Sequence, residues 1–398
     1  MRNLTLLIFL MLATLGAYAA DVVVGAARPD AYLPLLQGKR VALFSNHTGI
    51  VDLPDGSRMH TLDYLLRDGV DVRLILSPEH GFRGTAAEGQ TVANDVDSAT
   101  GIPIFSLYGK TKGAKRLAEM PKDIDVIICD IQDVGLRFYT YYISMIETME
   151  YASANGLEYI VFDRPNPLGM TVDGPVLDMA LRSGVGRLPI PVVHGLTLGE
   201  LARMAWGEQW LDGQTPDSRL SLTVIPCLNY THSTRYRLPI NPSPNLRTME
   251  AIYLYPSTCL FEGTIMSLGR GTDNPFTVYG HPDISGVGFY FIPRTGANGA
   301  KPVLADRKCY GFDLSTMDPE EVISRGVDLT YLISAYNNDG MRKHRKEFFT
   351  TFFDKLIGNR NVRRMIETGR SAGEIKATWV GDVEQFKARR QPYLLYPL

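Results

Sequence analysis

Short apolar runs, each closed by a polar residue, set the rhythm of the first half of the chain. Arg40–Ser45, Val72–Ser77, Val126–Asp130 and Tyr159–Asp163 are rich in Val, Ile and Leu. Strands buried on both faces of a parallel sheet have this pattern. Helical periodicity lies between them, over Met59–Arg67 and over Tyr141–Asn155. In the second, Ile143, Ile146, Met149 and Tyr151 fall near one face, and Asn155-Gly156 supplies a stop. Alternation of strand and helix predicts an α/β domain, a Rossmann-like doubly wound parallel sheet. Leu238–Asn245 then places three prolines in eight residues, which excludes a regular helix or a central strand. It is either a linker or an extended segment lining a cleft. Beyond it the character changes. Gly286–Ile292 and Cys309–Leu314 read as strands, and Pro319–Arg325, Leu329–Tyr336 and Lys346–Ile357 as helices. The expected organisation is a larger domain over 21–245 followed by a smaller α+β auxiliary domain over 246–398. No internal repeat or low-complexity segment is present.

The first twenty residues carry a different signal. Arg2 is followed by an almost wholly apolar stretch, Leu4–Leu15, and then by Ala17-Tyr18-Ala19. This is the layout of a cleaved secretory signal peptide, and the apolar run is short for a membrane span of about 20 residues. No later run is long and apolar enough to span, so an exported protein, secreted to the periplasm, is expected, with an uncleaved anchor as the lesser alternative. Such a compartment permits disulfides, and the four cysteines, Cys129, Cys227, Cys259 and Cys309, allow three full pairings. None lies in a C-x-x-C pair, and Cys129 sits in a strand-like run as a small hydrophobe. Composition fits a globular chain of 398 residues, 45% hydrophobic and 21% charged. The net charge of −2 excludes the broad basic field of a general nucleic-acid binder.

Candidate chemistry gathers where the apolar runs end. Ser45-Asn46-His47, Ser77-Pro78-Glu79-His80-Gly81, Asp130 to Asp133 and Asp163-Arg164-Pro165-Asn166 each follow a predicted strand. The carboxyl ends of strands in an open parallel sheet share one edge, and ligands bind there. Asn46, Glu79, His80, Asp133, Arg137, Asp163, Arg164 and Asn166 are therefore expected to converge. Each has a plainer reading as a helix cap or a turn residue. Glu79 lies between Pro78 and Gly81. A carboxyl held on such a bend beside apolar strand ends is suited to donate a proton; the plainer reading is a carboxylate paired with Arg83. Pro191–Leu196 looks like a strand end that carries His194. A hydrogen-bonding or substrate-positioning role suits it better than metal ligation, since no H-E-x-x-H spacing exists. Glu262 and Arg270 open the second half. Glu262 is a possible second carboxylate and Arg270 a bidentate reader of a substrate carboxylate. The plainer readings are a cap and a turn stabiliser. No G-x-G-x-x-G fingerprint follows the first strand and no G-x-S-x-G elbow exists, so neither NAD, ATP nor a lipase-like mechanism is expected. No cofactor and no metal is assigned.

Eight segments carry a more specific signal. They are S-P-E-H-G-F-R-G (77–84), S-L-Y-G-K-T (106–111), D-I-Q-D-V-G-L-R-F-Y-T-Y (130–141), D-R-P-N-P-L-G (163–169), G-P-V-L-D (174–178), P-I-P-V-V-H-G-L-T-L-G-E-L-A (189–202), P-S-P-N (242–245) and E-G-T…G-R-G-T (262–272). Together they resemble the exo-β-N-acetylmuramidase family of glycoside hydrolases, formerly a family of unknown function, from about residue 35 to the C-terminal tyrosines. The resemblance implies a Rossmann-like domain and a smaller auxiliary domain with the active site in the cleft between them. It also implies removal of terminal N-acetylmuramic acid (MurNAc) from the non-reducing ends of peptidoglycan fragments. The family's proposed catalytic Glu maps onto Glu79. On this reading Glu262 and Asp133 compete for the second carboxylate role. Arg137, Arg164 and Arg270 are candidates for the lactyl carboxylate of MurNAc. Asn46, Asn166, Tyr139 and His194 are candidates for its 2-acetamido group, which can itself serve as an internal nucleophile. His80 completes the expected binding set. The competing class is a non-catalytic periplasmic protein that binds muropeptides or sugars; such a protein can lose Glu79 and keep its function.

Overall fold

The computed structural model describes residues 21–78, 81–82, 94–107, 114–296 and 301–398. Among these, α1 (Pro29–Leu36) leads into β1 (Arg40–Ser45), and a small hairpin of β2 (Ile50–Asp52) and β3 (Arg58–His60) follows. Then come α2 (Thr61–Arg67), β4 (Asp71–Ser77), β5 (Asp95–Val96), β6 (Pro103–Ser106), α3 (Ala114–Leu117) and β7 (Val126–Asp130). The first region ends with α4 (Tyr141–Asn155), β8 (Glu158–Phe162), α5 (Leu198–Gly207) and β9 (Ser221–Ile225). The main sheet runs in the order β5-β6-β4-β1-β7-β8-β9. All its pairings are parallel except that of β5 on the edge. The chain leaves β1 toward β4 and later returns to β7 on its other side, so a topological switch point lies between β1 and β7.

The predicted α/β architecture is present, and its cause is visible strand by strand. Val41 and Leu43 pack with Ile75, Val126, Ile128 and Ile160 against Tyr32 and Leu36 of α1 and Leu62 and Leu65 of α2. Their neighbours Ala42 and Phe44 face the opposite way, with Leu76, Ile127 and Val161, against Met145, Ile146 and Met149 of α4. Both faces are thus covered, which is why the runs read as continuously apolar. α4 stops at Gly156, whose φ of +67° is the left-handed cap expected from Asn155-Gly156. α5 starts on a reciprocal capping box of Thr197 and Glu200.

The second region opens with α6 (Met249–Thr258) and carries a three-stranded antiparallel sheet. Its strands are β10 (Val278–His281), β11 (Tyr290–Phe291) and β12 (Cys309–Asp313), in the order β10-β12-β11. Six helices follow: α7 (Pro319–Arg325), α8 (Thr330–Asn337), α9 (Phe352–Ile357), α10 (Arg360–Glu367), α11 (Ala372–Ala377) and α12 (Val380–Arg390). The larger apolar core crosses from the sheet into this region through Ile252, Phe261, Phe353 and Trp379. The last residues return to the first region, where the Tyr396 hydroxyl donates to Asp163 Oδ2 at 2.6 Å.

Three local expectations are corrected. Met59 and His60 belong to β3, because the hairpin claims them, and the helix begins only at Thr61, with His60 Nδ1 accepting from Leu62 N. The strand expected over Gly286–Ile292 shrinks to Tyr290–Phe291; Gly286 has a φ of +78° and breaks the extended run. The helix expected over Lys346–Ile357 begins at Phe352. Before it, residues 345–347 form turns, and then Phe348 O accepts from Ile265 N and Phe349 bridges Thr264. All four cysteines are buried free thiols. No helix of the described residues is long and apolar enough to cross a membrane.

Candidate active site

Four clusters were expected at one edge, and the strand register aligns their origins. Ser45 pairs with Asp130, and Ser77 with Ser106, so the carboxyl ends of β1, β4, β6 and β7 lie side by side. Glu79 and His80 lie outside the described residues. Their flanks are described: Pro78 follows β4 directly, and Gly81, at φ +75°, donates its N–H to Pro78 O at 3.1 Å.

At the switch point the polar groups form one connected run. Asn46 is fully buried, and its Oδ1 accepts from Thr48 N at 2.9 Å and Thr48 Oγ1 at 2.6 Å. Thr48 Oγ1 in turn accepts from Gln132 N at 3.0 Å. Gln132 Nε2 donates to Asp133 O and Pro165 O, each at 2.8 Å. Asp133 Oδ1 accepts from Gly135 N at 2.7 Å, and Gly135 O accepts from His194 N at 3.3 Å. His194 Nδ1 accepts from Leu196 N. Along this run Asn46 Nδ2, Gln132 Oε1, Asp133 Oδ2 and His194 Nε2 are buried without a hydrogen-bond partner. Burial pushes the Asp133 carboxyl up to about 7, against two backbone N–H groups that pull it down. Burial, then the charges of Arg390 and Arg137, hold His194 down near 3, so its ring is neutral.

The Pro-rich segment lies across this edge, which settles it as a cleft-lining strap. His47 Nε2 bonds Asn241 O at 2.9 Å, and the hydroxyls of Tyr139 and Tyr141 both donate to Pro242 O, at 2.8 and 3.0 Å. Beside it is a cavity of about 270 Å³ between the two regions, lined by Tyr139, Ser243, Asn245, Tyr255, Glu262 and Arg270 among others. There Arg270 Nη2 donates to Glu262 Oε1 at 2.7 Å, and the guanidinium lies 4.9 Å from the Phe276 ring centroid. Tyr139, Glu262 and Arg270 are thus brought together at the cleft.

Three expected ligand contacts are spent internally instead. Arg137 is fully buried and donates to Pro175 O, Ile190 O and Leu356 O at 2.6, 2.9 and 3.0 Å. Burial lowers it to about 10. It bolts the loop after β7 to α9 in the second region, and its Nε is buried without a hydrogen-bond partner. Arg164 grips Asp130 through Nε and Nη2 at 2.6 and 2.9 Å, in a pair with both side chains buried, and also donates to Ile50 O. Its charge is already matched. Asn166 accepts from Leu168 N, which closes a turn, and donates to Leu196 O, which ties it to the segment before α5. In the other direction, sequence reasoning passed over Gln132. Its position between Asp130 and Asp133 after an apolar strand was the available signal.

Comparison with known families now decides the class. Residues 41–250 match the model of the N-terminal domain of the exo-β-N-acetylmuramidase NamZ, and residues 253–396 match that of its C-terminal domain. The chain belongs to the NamZ exo-β-N-acetylmuramidase family. It is 37% identical over 390 residues to the peptidoglycan β-N-acetylmuramidase NamZ of Bacillus subtilis, covering 92% of this chain and 89% of that one. Two solved structures of DUF1343 family proteins from Bacteroides fragilis share the fold. One has a TM-score of 0.84 at 51% identity, covering 95% of this chain and 99% of its own. The other has a TM-score of 0.73 at 28% identity, covering 94% and 99%. Among the described residues of this NamZ-family chain, one group of metal-ligating type is present, in the second region. His281, Asp283 and His344 offer atoms within 4.8 Å of one another. Asp283 already bonds Lys343 Nζ at 2.9 Å and His344 Nε2 at 2.8 Å, and His281 Nδ1 accepts from Asp283 N. The group is an ionic staple between the end of β10 and the 3-10 helix Asp339–His344.

Proposed function

We propose that this chain is an exo-acting glycosidase that removes β-linked MurNAc from the non-reducing ends of peptidoglycan fragments. The observation that carries this reading is the family match along nearly the whole chain, together with a run of unpartnered buried polar atoms at the switch point. The relative named for an activity is a β-N-acetylmuramidase, which favours catalysis over simple muropeptide binding. Glu79, two residues beyond β4 in the P-E-H-G segment, is the general acid. Asp133 is the second carboxylate: its Oδ2 is buried at the switch point without a hydrogen-bond partner, whereas Glu262 is tied to Arg270. Arg270 reads the lactyl carboxylate from the cleft wall, exchanging part of its hold on Glu262 for the substrate. Residues 1–20 direct export, and the enzyme works on cell-wall fragments in the periplasm.

A chromogenic β-MurNAc glycoside beside its β-GlcNAc counterpart tests the proposal. Turnover of the first with little of the second is expected, since GlcNAc lacks the carboxylate that Arg270 reads. Equal rates on both, or tight binding of the MurNAc glycoside with no turnover, overturn it.

A further inference from the structure

Buried polar groups in folded proteins are paired in the great majority of cases, and each unpaired one needs a reason. Four lie on the connected run from Asn46 to His194, at the place where open α/β sheets take ligands. Their donor and acceptor characters are set by backbone partners. Asn46 Oδ1 accepts from the backbone N–H of Thr48, so the unpartnered atom is the amide nitrogen, a donor. Gln132 uses its nitrogen to donate to two backbone carbonyls, so its unpartnered atom is the oxygen, an acceptor. His194 takes a backbone N–H on Nδ1, so the neutral ring carries its proton on Nε2, a second donor. These three assignments leave no choice of flip or tautomer.

We propose that Asn46 and Gln132 form a secondary-amide subsite, in which Asn46 Nδ2 donates to the carbonyl oxygen of the substrate's 2-acetamido group and Gln132 Oε1 accepts its N–H. The proposal rests on the glycosidase reading above and adds Gln132 as a specificity-determining residue. A secondary amide has one donor and one acceptor, and Asn46 and Gln132 offer the complementary pair; Thr48 Oγ1 ties the two residues together by donating to Asn46 Oδ1 and accepting from the Gln132 backbone N–H. An ammonium at the same carbon leaves the Asn46 donor facing a cation. A carboxylate leaves Gln132 Oε1 facing an anion, so the lactyl carboxylate belongs elsewhere, at Arg270. His194 Nε2 is left as a further donor, for a sugar hydroxyl. Sites built to hydrogen-bond a group reject the analogue that lacks it strongly, because their own buried polar atoms are left unpaired.

The experiment compares the 2-acetamido and 2-amino forms of the same β-muramyl glycoside as substrates. For the wild-type enzyme a preference for the acetamido form of about 10²-fold or more is expected. Asn46→Asp keeps the oxygen that Thr48 needs and replaces the donor with an acidic oxygen. It should lower the ratio of the two kcat/KM values by at least tenfold. Gln132→Met keeps the length without the acceptor and should lower the ratio as well. It also removes two bonds to carbonyls, so its melting temperature is measured alongside. A variant that loses activity equally on both substrates overturns the subsite. Should N46D not fold, the ratio for Q132M decides. If the wild type turns over neither glycoside, the glycosidase reading fails by itself. Calorimetry with free N-acetylmuramic and muramic acids then tests the subsite alone: equal affinities in wild type overturn it, and a preference for the acetylated sugar that N46D abolishes supports it.

Discussion

Two polar clusters share the carboxyl edge of the main sheet and differ in what their side chains face. After β8, every group has been used. Asp163 accepts from Thr197 Oγ1 at 2.7 Å, Gly199 N at 2.8 Å and the Tyr396 hydroxyl, and so caps α5 and anchors the C-terminus. Arg164 is paired with Asp130, and Asn166 closes one turn and holds Leu196 O. After β1 and β7 the groups are just as buried, yet Asn46, Gln132 and Asp133 each keep an atom without a partner. Both clusters look alike as strand-end polar residues. Burial does not tell them apart; satisfaction does. A saturated cluster lowers the energy of the fold, whereas an unsatisfied one costs free energy that a ligand can return.

The largest expected effect breaks this comparison on the side that awaits substrate. Glu79→Gln should cut turnover of a natural disaccharide by about 10²–10⁴-fold, the usual worth of general acid catalysis. The loss should be smaller on a nitrophenyl glycoside, whose leaving group needs less protonation, with the melting temperature unchanged. A folded variant with near-full activity on the disaccharide removes Glu79 from the role and moves the test to Asp133. On the saturated side the opposite signature is expected. Arg164→Met strands Asp130 in the core and should cost about 3–5 kcal/mol of stability in denaturant unfolding, as broken buried pairs do. Substrate affinity of the folded fraction should change little; a selective rise in KM would return Arg164 to the binding set.

A pH experiment sharpens the contrast within the unsatisfied cluster. The Asp133 carboxyl titrates near 7 when folded and near its ordinary value of 3.8 when unfolded. The folded state therefore binds the extra proton between those values, and stability falls as pH rises through that window. Asp133→Asn removes this slope. It should stabilise the protein by roughly 1–3 kcal/mol above pH 7 and by little near pH 4, read from melting temperatures of both chains across pH. Parallel curves would mean that the carboxyl is not held as a neutral acid. The smallest effect is expected at Arg270→Met. It should raise KM for MurNAc glycosides by about tenfold, the worth of one exchanged charge contact near 1.4 kcal/mol, and leave the GlcNAc counterpart unaffected.

Much of this was legible in order along the chain. Both-face burial makes the strands of a parallel sheet continuously apolar, so β1, β4, β7 and β8 stood out within a residue of their ends. Gly156 marked the end of α4, because a left-handed residue is needed there. β9 was not foreseen. It is an edge strand, mostly half-buried, and its alternation is weak. The motif segments specified the family, since they hold the residues that both fold and chemistry require.

What the sequence by itself determined was the α/β class, the polar edge and the set of residues from which a site must be drawn. Tertiary structure alone decided which of them stay available. Arg137 is claimed by Leu356, 219 positions away, Asp163 by Tyr396, 233 positions away, and Arg164 by Asp130, 34 positions away. A side chain's hydrogen-bonding capacity is written in its chemistry. Whether a distant part of the chain uses that capacity depends on packing, and no local pattern of residues encodes it.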